Sequence, residues 1–231
     1  MANPLTLVNS LTFLQHSGDR MRDILFMGEI LASVTHDMQN VMAIIKESGA
    51  LADDILALNG RPRLKHGEKL TEALGNVQQQ VLRGRELMLM LNGFAHAAED
   101  YPERCDLCRF TKQICVLANR MVRMKECRLA VELHASPLPV SGSAFKVMQG
   151  AYLAVASVLA GCSKGDTLTV AAREGEGASE GGRLRIASEV NAETPETAGL
   201  RMVMEYLGAT CAAGPGRLEL IFPPVMEGEG V

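Results

Sequence analysis

The sequence predicts an α+β chain: a long antiparallel helical hairpin, which forms a four-helix bundle on dimerisation, followed by an α/β sandwich. Three observations predict it. Two long stretches in the first hundred residues repeat apolar side chains at steps of three and four. A short Gly/Pro-containing break separates them. After residue 100, helical and alternating patterns interleave. The implied domains are residues 1–100 for the hairpin and 101–231 for the sandwich.

Residues 5–16 read as a short leading helix, with Ser17-Gly18-Asp19 as a break and a new helix start. From Ile24 to Leu58 there is no proline, and Met27, Leu31, Val34, Met38, Val41 and Ile45 form a seam of the kind that packs in a bundle. Asn59-Gly-Arg-Pro-Arg63 ends this helix. The second helix runs from about Glu68 to Ala98, with a stripe at Leu70, Leu74, Val77, Val81, Met88 and Leu91. One hairpin buries both stripes poorly, whereas two hairpins bury them well, so a homodimer is expected.

The composition changes after Asp100-Tyr-Pro102. Phe110 to Met124, Ser141 to Leu159 and Thr197 to Leu207 read as helices. Arg128 to His134, Leu168 to Arg173, Leu184 to Val190 and Arg217 to Phe222 read as strands, and Glu174 to Gly182 as a hairpin tip. Helices on one face of a mixed sheet follow from this order. Gly49 and Gly84 interrupt predicted helices at a cost of ~1 kcal/mol each and mark kinks or close packing.

Composition excludes several classes. A formal net charge of −4 argues against nucleic-acid binding, which needs a basic surface. The longest apolar stretch, Ala151 to Cys162, is too short to span a bilayer, and no signal peptide is evident at the start. A cytoplasmic protein without membrane contact is expected. The 6 cysteines follow no framework spacing. Cys105-Asp-Leu-Cys108 has C-x-x-C form but no matching second pair, so these thiols are expected to pack rather than bind metal.

Of the five histidines, His16, His36, His66, His96 and His134, one has an informative setting: Ala32-Ser-Val-Thr-His-Asp-Met-Gln-Asn40. His36 lies two residues from both Val34 and Met38 of the seam. At ~3.6 residues per turn, two residues is about 200°, so His36 points outward, on a stripe with Ser33, Asn40 and Glu47. An exposed neutral imidazole is nucleophilic near pH 7 and accepts a phosphoryl group on one nitrogen if the other is held or relieved of its proton. Asp37 is placed to act as that base, and Asn40, one turn on, to orient a water or a phosphoryl group. The plain alternative is a surface histidine.

This segment resembles the phospho-acceptor box of two-component sensor histidine kinases: a histidine, an acid, Asn or Thr four after the histidine, then aliphatic residues. The resemblance implies that His36 is the phospho-acceptor, Asp37 the base and orienter, and Asn40 a residue for dephosphorylation. The helix-turn-helix of residues 20–98 is similar in length to that family's dimerisation hairpin. Residues 105–222 resemble its ATP-binding domain: Cys105-Asp-Leu107 its opening, Phe145 to Val170 its asparagine box, Ala198-Gly-Leu200 its second glycine box, and Arg217 to Pro223 its closing strand.

The departures are in the nucleotide-binding positions. Leu153 and Ser157 stand where the family has asparagines. Ile186-Ala-Ser-Glu-Val-Asn-Ala192 lacks the D-x-G-x-G that holds adenine. The second glycine box retains Gly199, followed by Leu-Arg-Met. The expectation is therefore no cofactor, with ATP binding lost. The chain looks like the relay variant of this family, a histidine phosphotransferase passing phosphate between response-regulator receiver domains. Two alternatives stay open: a non-catalytic dimeric scaffold or inhibitor that binds a receiver or kinase, and a divergent ATP-dependent histidine kinase.

Overall fold

The computed structural model describes residues 4–58, 67–99, 104–177, 179–190, 193–194 and 196–225, with side chains of the first helix from residue 20. It is α+β, with a helical hairpin followed by a sandwich. Helix α1 spans Pro4–Leu58 and α2 spans Gly67–Glu99. The predicted break at Ser17-Gly18-Asp19 is absent, and α1 runs through it without interruption. The reason is energetic: a glycine inside a helix costs ~1 kcal/mol, which neighbouring turns offset, whereas proline would have removed a hydrogen bond. The predicted turn at 59–63 and the boundary at 100–102 lie outside the described residues.

The faces of the hairpin are more divided than a single seam. Phe26, Ile30, Val34, Asp37 and Val41 line the buried face of α1, and Ala73, Gly84, Leu87, Phe94 and Ala97 that of α2. Leu31 from the predicted seam is exposed, as are Leu74, Val81 and Met88 of α2. Those three recur every seven residues and form an apolar row that no described residue covers. Gly84 explains itself through close packing: a Cβ there would meet Val41 Cγ1 at 3.2 Å, so α1 and α2 approach closely one turn from the site residues. A Cβ at Gly49 would meet nothing within 4 Å.

The second domain begins with β1 (Arg104–Asp106), α3 (Leu107–Met124), β2 (Arg128–Glu132), β3 (Pro139–Ser141) and α4 (Ala144–Gly161). It continues with β4 (Thr167–Glu174), β5 (Gly182–Ser188), α5 (Ala198–Tyr206), β6 (Thr210–Gly214) and β7 (Arg217–Phe222). Asp106 caps α3 by accepting from the Cys108 amide at 3.0 Å and ties in the β3 approach by accepting from the Leu138 amide at 3.1 Å. The main sheet has order β2-β4-β5-β7-β6, with β2 and β4 parallel and the other pairs antiparallel. The β4–β5 pairing confirms the Gly/Glu-rich segment as a hairpin tip. Leu168, Val170, Ala172, Leu184, Ile186, Leu218, Leu220 and Phe222 are buried in register on the helix-covered face. Gly216 closes the β6–β7 turn at φ +64°, where a Cβ would strike the Val190 carbonyl.

Helix α4 is by length and composition apolar enough to cross a membrane, but it is the core helix of this domain, mostly buried against the sheet and its neighbours. The two domains share one core. Phe26 of α1 meets Phe94 of α2 and Phe145 of α4 edge-on, with centroids 5.4 and 5.5 Å apart, and lies 5.3 Å from Tyr152. Asp23 accepts from Lys146 Nζ at 2.6 Å and from Gln149 Nε2 at 3.1 Å.

Candidate functional site

His36 lies where the spacing placed it, on the outer side of α1 with its side chain 49 % exposed. Its Nδ1 is 3.2 Å from Asn40 Nδ2, one helical turn on. Among the described residues Nε2 has no hydrogen-bond partner. The nucleophilic tautomer carries its proton on Nδ1 and its lone pair on Nε2. Turning the Asn40 amide over presents its oxygen to that Nδ1 proton, so the same contact serves this tautomer. Asn40 is thus the group that touches the imidazole.

Asp37 is elsewhere. It is 4 % exposed, on the inner face of α1. Its Oδ1 stands 3.8 Å from His36 Nδ1, beyond hydrogen-bond reach. Both carboxylate oxygens accept from Arg123 Nη2 of α3, at 2.8 and 2.6 Å, and Arg83 of α2 lies 3.6 Å from Oδ2. Three elements therefore converge on one carboxylate. Ser33, assigned to the outward stripe, donates instead to the Leu117 carbonyl of α3 at 3.3 Å. Helix α3 follows α1 along the turn that carries the histidine.

A cleft of about 480 Å³ opens beside Asp37, between α2, α3 and β2. Its walls combine Arg83 and Lys112 with Leu87, Val116, Leu129 and the exposed edge-strand residue Val131. The sequence reading missed Arg83, Arg123 and this cleft. Asp37's burial had a signal: it lies seven residues after Ile30, three after Val34 and four before Val41. Nothing local marks Arg123, because its partner is 86 residues away.

Of the positions expected to have lost nucleotide binding, Leu153 and Gly199 line a cavity between α1, α4 and α5. Ser157 donates its hydroxyl to the Leu153 carbonyl at 2.9 Å. A Cβ on Gly199 would meet Leu153 Cδ1 at 3.8 Å, so this leucine faces the remaining glycine. Ile186 is buried in the core; residues 191 and 192 lie outside the described residues. The segment of α1 around Asp23 and Phe26 lies across α4, with a cavity of about 640 Å³ between α1, α4 and α5. Tyr152 sits in that interface; burial first, then the Glu29 carboxylate it bonds, push its phenol up to about 12.

Cys105 and Cys115 are buried thiols whose ionisation is pushed up to about 12 by burial, which keeps them protonated and inert. Cys108 is also buried, with its thiol directed at the His134 and Ser136 carbonyls. Among the described residues no cluster of three or more His, Cys, Asp or Glu side chains is placed to hold a metal ion.

No family model matches the sequence, and no curated protein does. Several solved structures are similar in arrangement. One is histidine kinase ThkA in complex with the response regulator protein TrrA, at 11 % identity and a TM-score of 0.45, covering 95 % of this chain and 68 % of that one. Another is the Acinetobacter baumannii histidine kinase AdeS, at 11 % identity and 0.42, covering 82 % and 98 %. A third is a histidine kinase from Burkholderia phymatum, at 13 % identity and 0.43, covering 80 % and 98 %. These scores lie below 0.5, too low to fix a function.

Proposed function

We propose that this chain is a cytoplasmic histidine phosphotransferase that relays a phosphoryl group between response-regulator receiver domains through a phosphohistidine at His36. One observation carries the reading: an exposed imidazole with Nδ1 held by Asn40 and no described group bonded to Nε2. In the transfer, the Nε2 lone pair attacks the phosphorus of a receiver's aspartyl phosphate. The N–P bond forms, the P–O bond breaks and the receiver's carboxylate leaves. Positive charge that develops on the ring is relieved at Nδ1, where Asn40 is in contact and Asp37 stands close. Such a transfer depends mainly on positioning and charge, so a sparse site suffices.

The cleft beside Asp37, the residue next to His36, supports a docked partner, because it combines apolar side chains with charged ones of both signs, Arg83 and Lys112 beside Asp37 and Glu86. Loss of ATP binding is supported by Leu153 and Ser157 standing where amide side chains are needed and by the Lys146–Asp23 bond that holds α1 across α4. A homodimer is supported by the exposed row Leu74, Val81 and Met88. Val81→Asp places a charge in that row, outside the chain's own core. It is expected to yield a folded monomer by light scattering, with melting of the monomer unit little changed. A stable dimer would remove this row from the interface.

The test of function is incubation with labelled ATP and, separately, with a phosphorylated receiver. Acid-labile label from the receiver and none from ATP is the expected pattern. Label taken directly from ATP would make the chain a kinase. The scaffold reading draws on one observation, that Asp37 is bonded to Arg123 rather than to His36. It predicts receiver binding without label.

A further inference from the structure

We propose that Arg123 is a positioning residue that regulates the site, holding Asp37 away from His36 until helix α3 shifts against α1. The inference takes its meaning from the phosphotransfer reading. It adds a residue from the other domain and a device that connects the two.

The geometry is specific. Arg123 is in the last turn of α3, which belongs to the sandwich. Its Nη2 satisfies both oxygens of a carboxylate that is shut away from water. A charge-assisted contact of this kind is short, directional and stronger than a neutral hydrogen bond. The oxygen it claims at 2.8 Å, Oδ1, is the one that stands 3.8 Å from His36 Nδ1. The gap exceeds a hydrogen bond by less than an ångström, a distance within reach of a side-chain torsion. Arg83 approaches the other oxygen, Oδ2, so it does not take Arg123's place at Oδ1. Release of Arg123 therefore leaves Oδ1 with His36 Nδ1 as the near polar neighbour.

The release has a natural cause. The cleft between α2, α3 and β2 reaches Asp37 and Arg83 at one end and Val131 of the edge strand at the other. A partner seated there presses on α3 as well as on the hairpin. Movement of α3 opens the Arg123 contact and hands the carboxylate to the imidazole at the time a phosphoryl donor is present. Between encounters Asn40 orients the ring, but no base is within reach to take the Nδ1 proton as the N–P bond forms, so transfer stays slow.

Phosphoramidate tests this without a receiver, since it phosphorylates imidazole directly. The Nε2 lone pair forms the N–P bond as the P–N bond of phosphoramidate breaks and ammonia leaves. The cationic ring then passes its Nδ1 proton to Asp37 and on to solvent. Labelling of His36 in the full chain is compared for the parent, Arg123→Ala and Arg123→Gln, with ¹⁵N spectra of the His36 ring. Arg123→Ala is expected to label about 10²-fold faster, the lower end of what a positioned general base contributes. Arg123→Gln, which keeps one donor, falls between. The ¹⁵N spectra should show more of the Nδ1–H tautomer, and the double variant Arg123→Ala/Asp37→Asn should lose the gain. Equal or slower labelling in both single variants, with unchanged ¹⁵N shifts, would overturn the proposal. Faster labelling in a chain that takes phosphate from no receiver would uphold Arg123's role while rejecting the relay.

Discussion

Replacing His36 by alanine is expected to reduce phosphoryl acceptance from a receiver to background while leaving the fold intact. The two halves of this expectation have different origins. Acceptance needs the Nε2 lone pair, and alanine has no group that can form a bond to phosphorus. The fold is insensitive because half of the histidine surface faces water and its polar contact is with Asn40 on the same helix. Alanine is also the better helix former at such a position, by a few tenths of a kcal/mol. Mass spectrometry under alkaline conditions, where phosphohistidine survives, reads the first half; circular dichroism on heating reads the second. Retained phosphorylation would place the acceptor elsewhere, and a collapsed melting curve would show that the ring is structural.

Phe26→Ala is expected to cost about 3–5 kcal/mol of unfolding free energy, the range for deleting a buried aromatic ring. Phe26 is 5 % exposed and is the meeting point of α1, α2 and α4. The loss removes edge-on ring contacts with Phe94 and Phe145 and opens a void that rigid helices fill incompletely. Because the ring joins the hairpin to the sandwich, urea unfolding should also change character. The parent is expected to unfold in one transition, and the variant in two, with the sandwich outlasting its attachment. A single transition shifted by under 1 kcal/mol would mean that Asp23 and Lys146, not the aromatic cluster, hold the domains together.

Much of this architecture is legible in the sequence where one periodicity decides it. The hairpin helices, α3, α4, α5 and the strands at Leu168, Leu184 and Arg217 each carry several matched apolar positions. The three strands that went unread are short or weakly patterned. β1 and β3 have three residues each, and β6 is Thr-Cys-Ala-Ala-Gly, with small half-exposed side chains that alternate little. They exist because neighbouring backbone supplies partners, and a local pattern does not encode that. The site divides the same way. His36 and Asn40 share a helix, so a turn of 3.6 residues brings them together. Asp37's immediate surroundings come from α2 and α3, and only tertiary packing reveals that two guanidinium groups converge there. The sequence shows the seam as one stripe because heptad arithmetic does not tell an interior shared within a chain from one shared between chains.

The packing of α1 across α4 has a kinetic consequence. The Lys146–Asp23 bond and the Phe26 cluster leave little freedom for the sandwich to swing about the hairpin. The imidazole and the edge of β2 therefore hold a standing separation before any partner arrives. A partner that touches both loses its own rotational freedom and asks of the described residues no more than the local shift of α3 that frees Asp37, so productive alignment follows closely on encounter. Short-lived complexes can then turn over quickly, a property suited to the proposed relay, in which one partner must leave before the next is met.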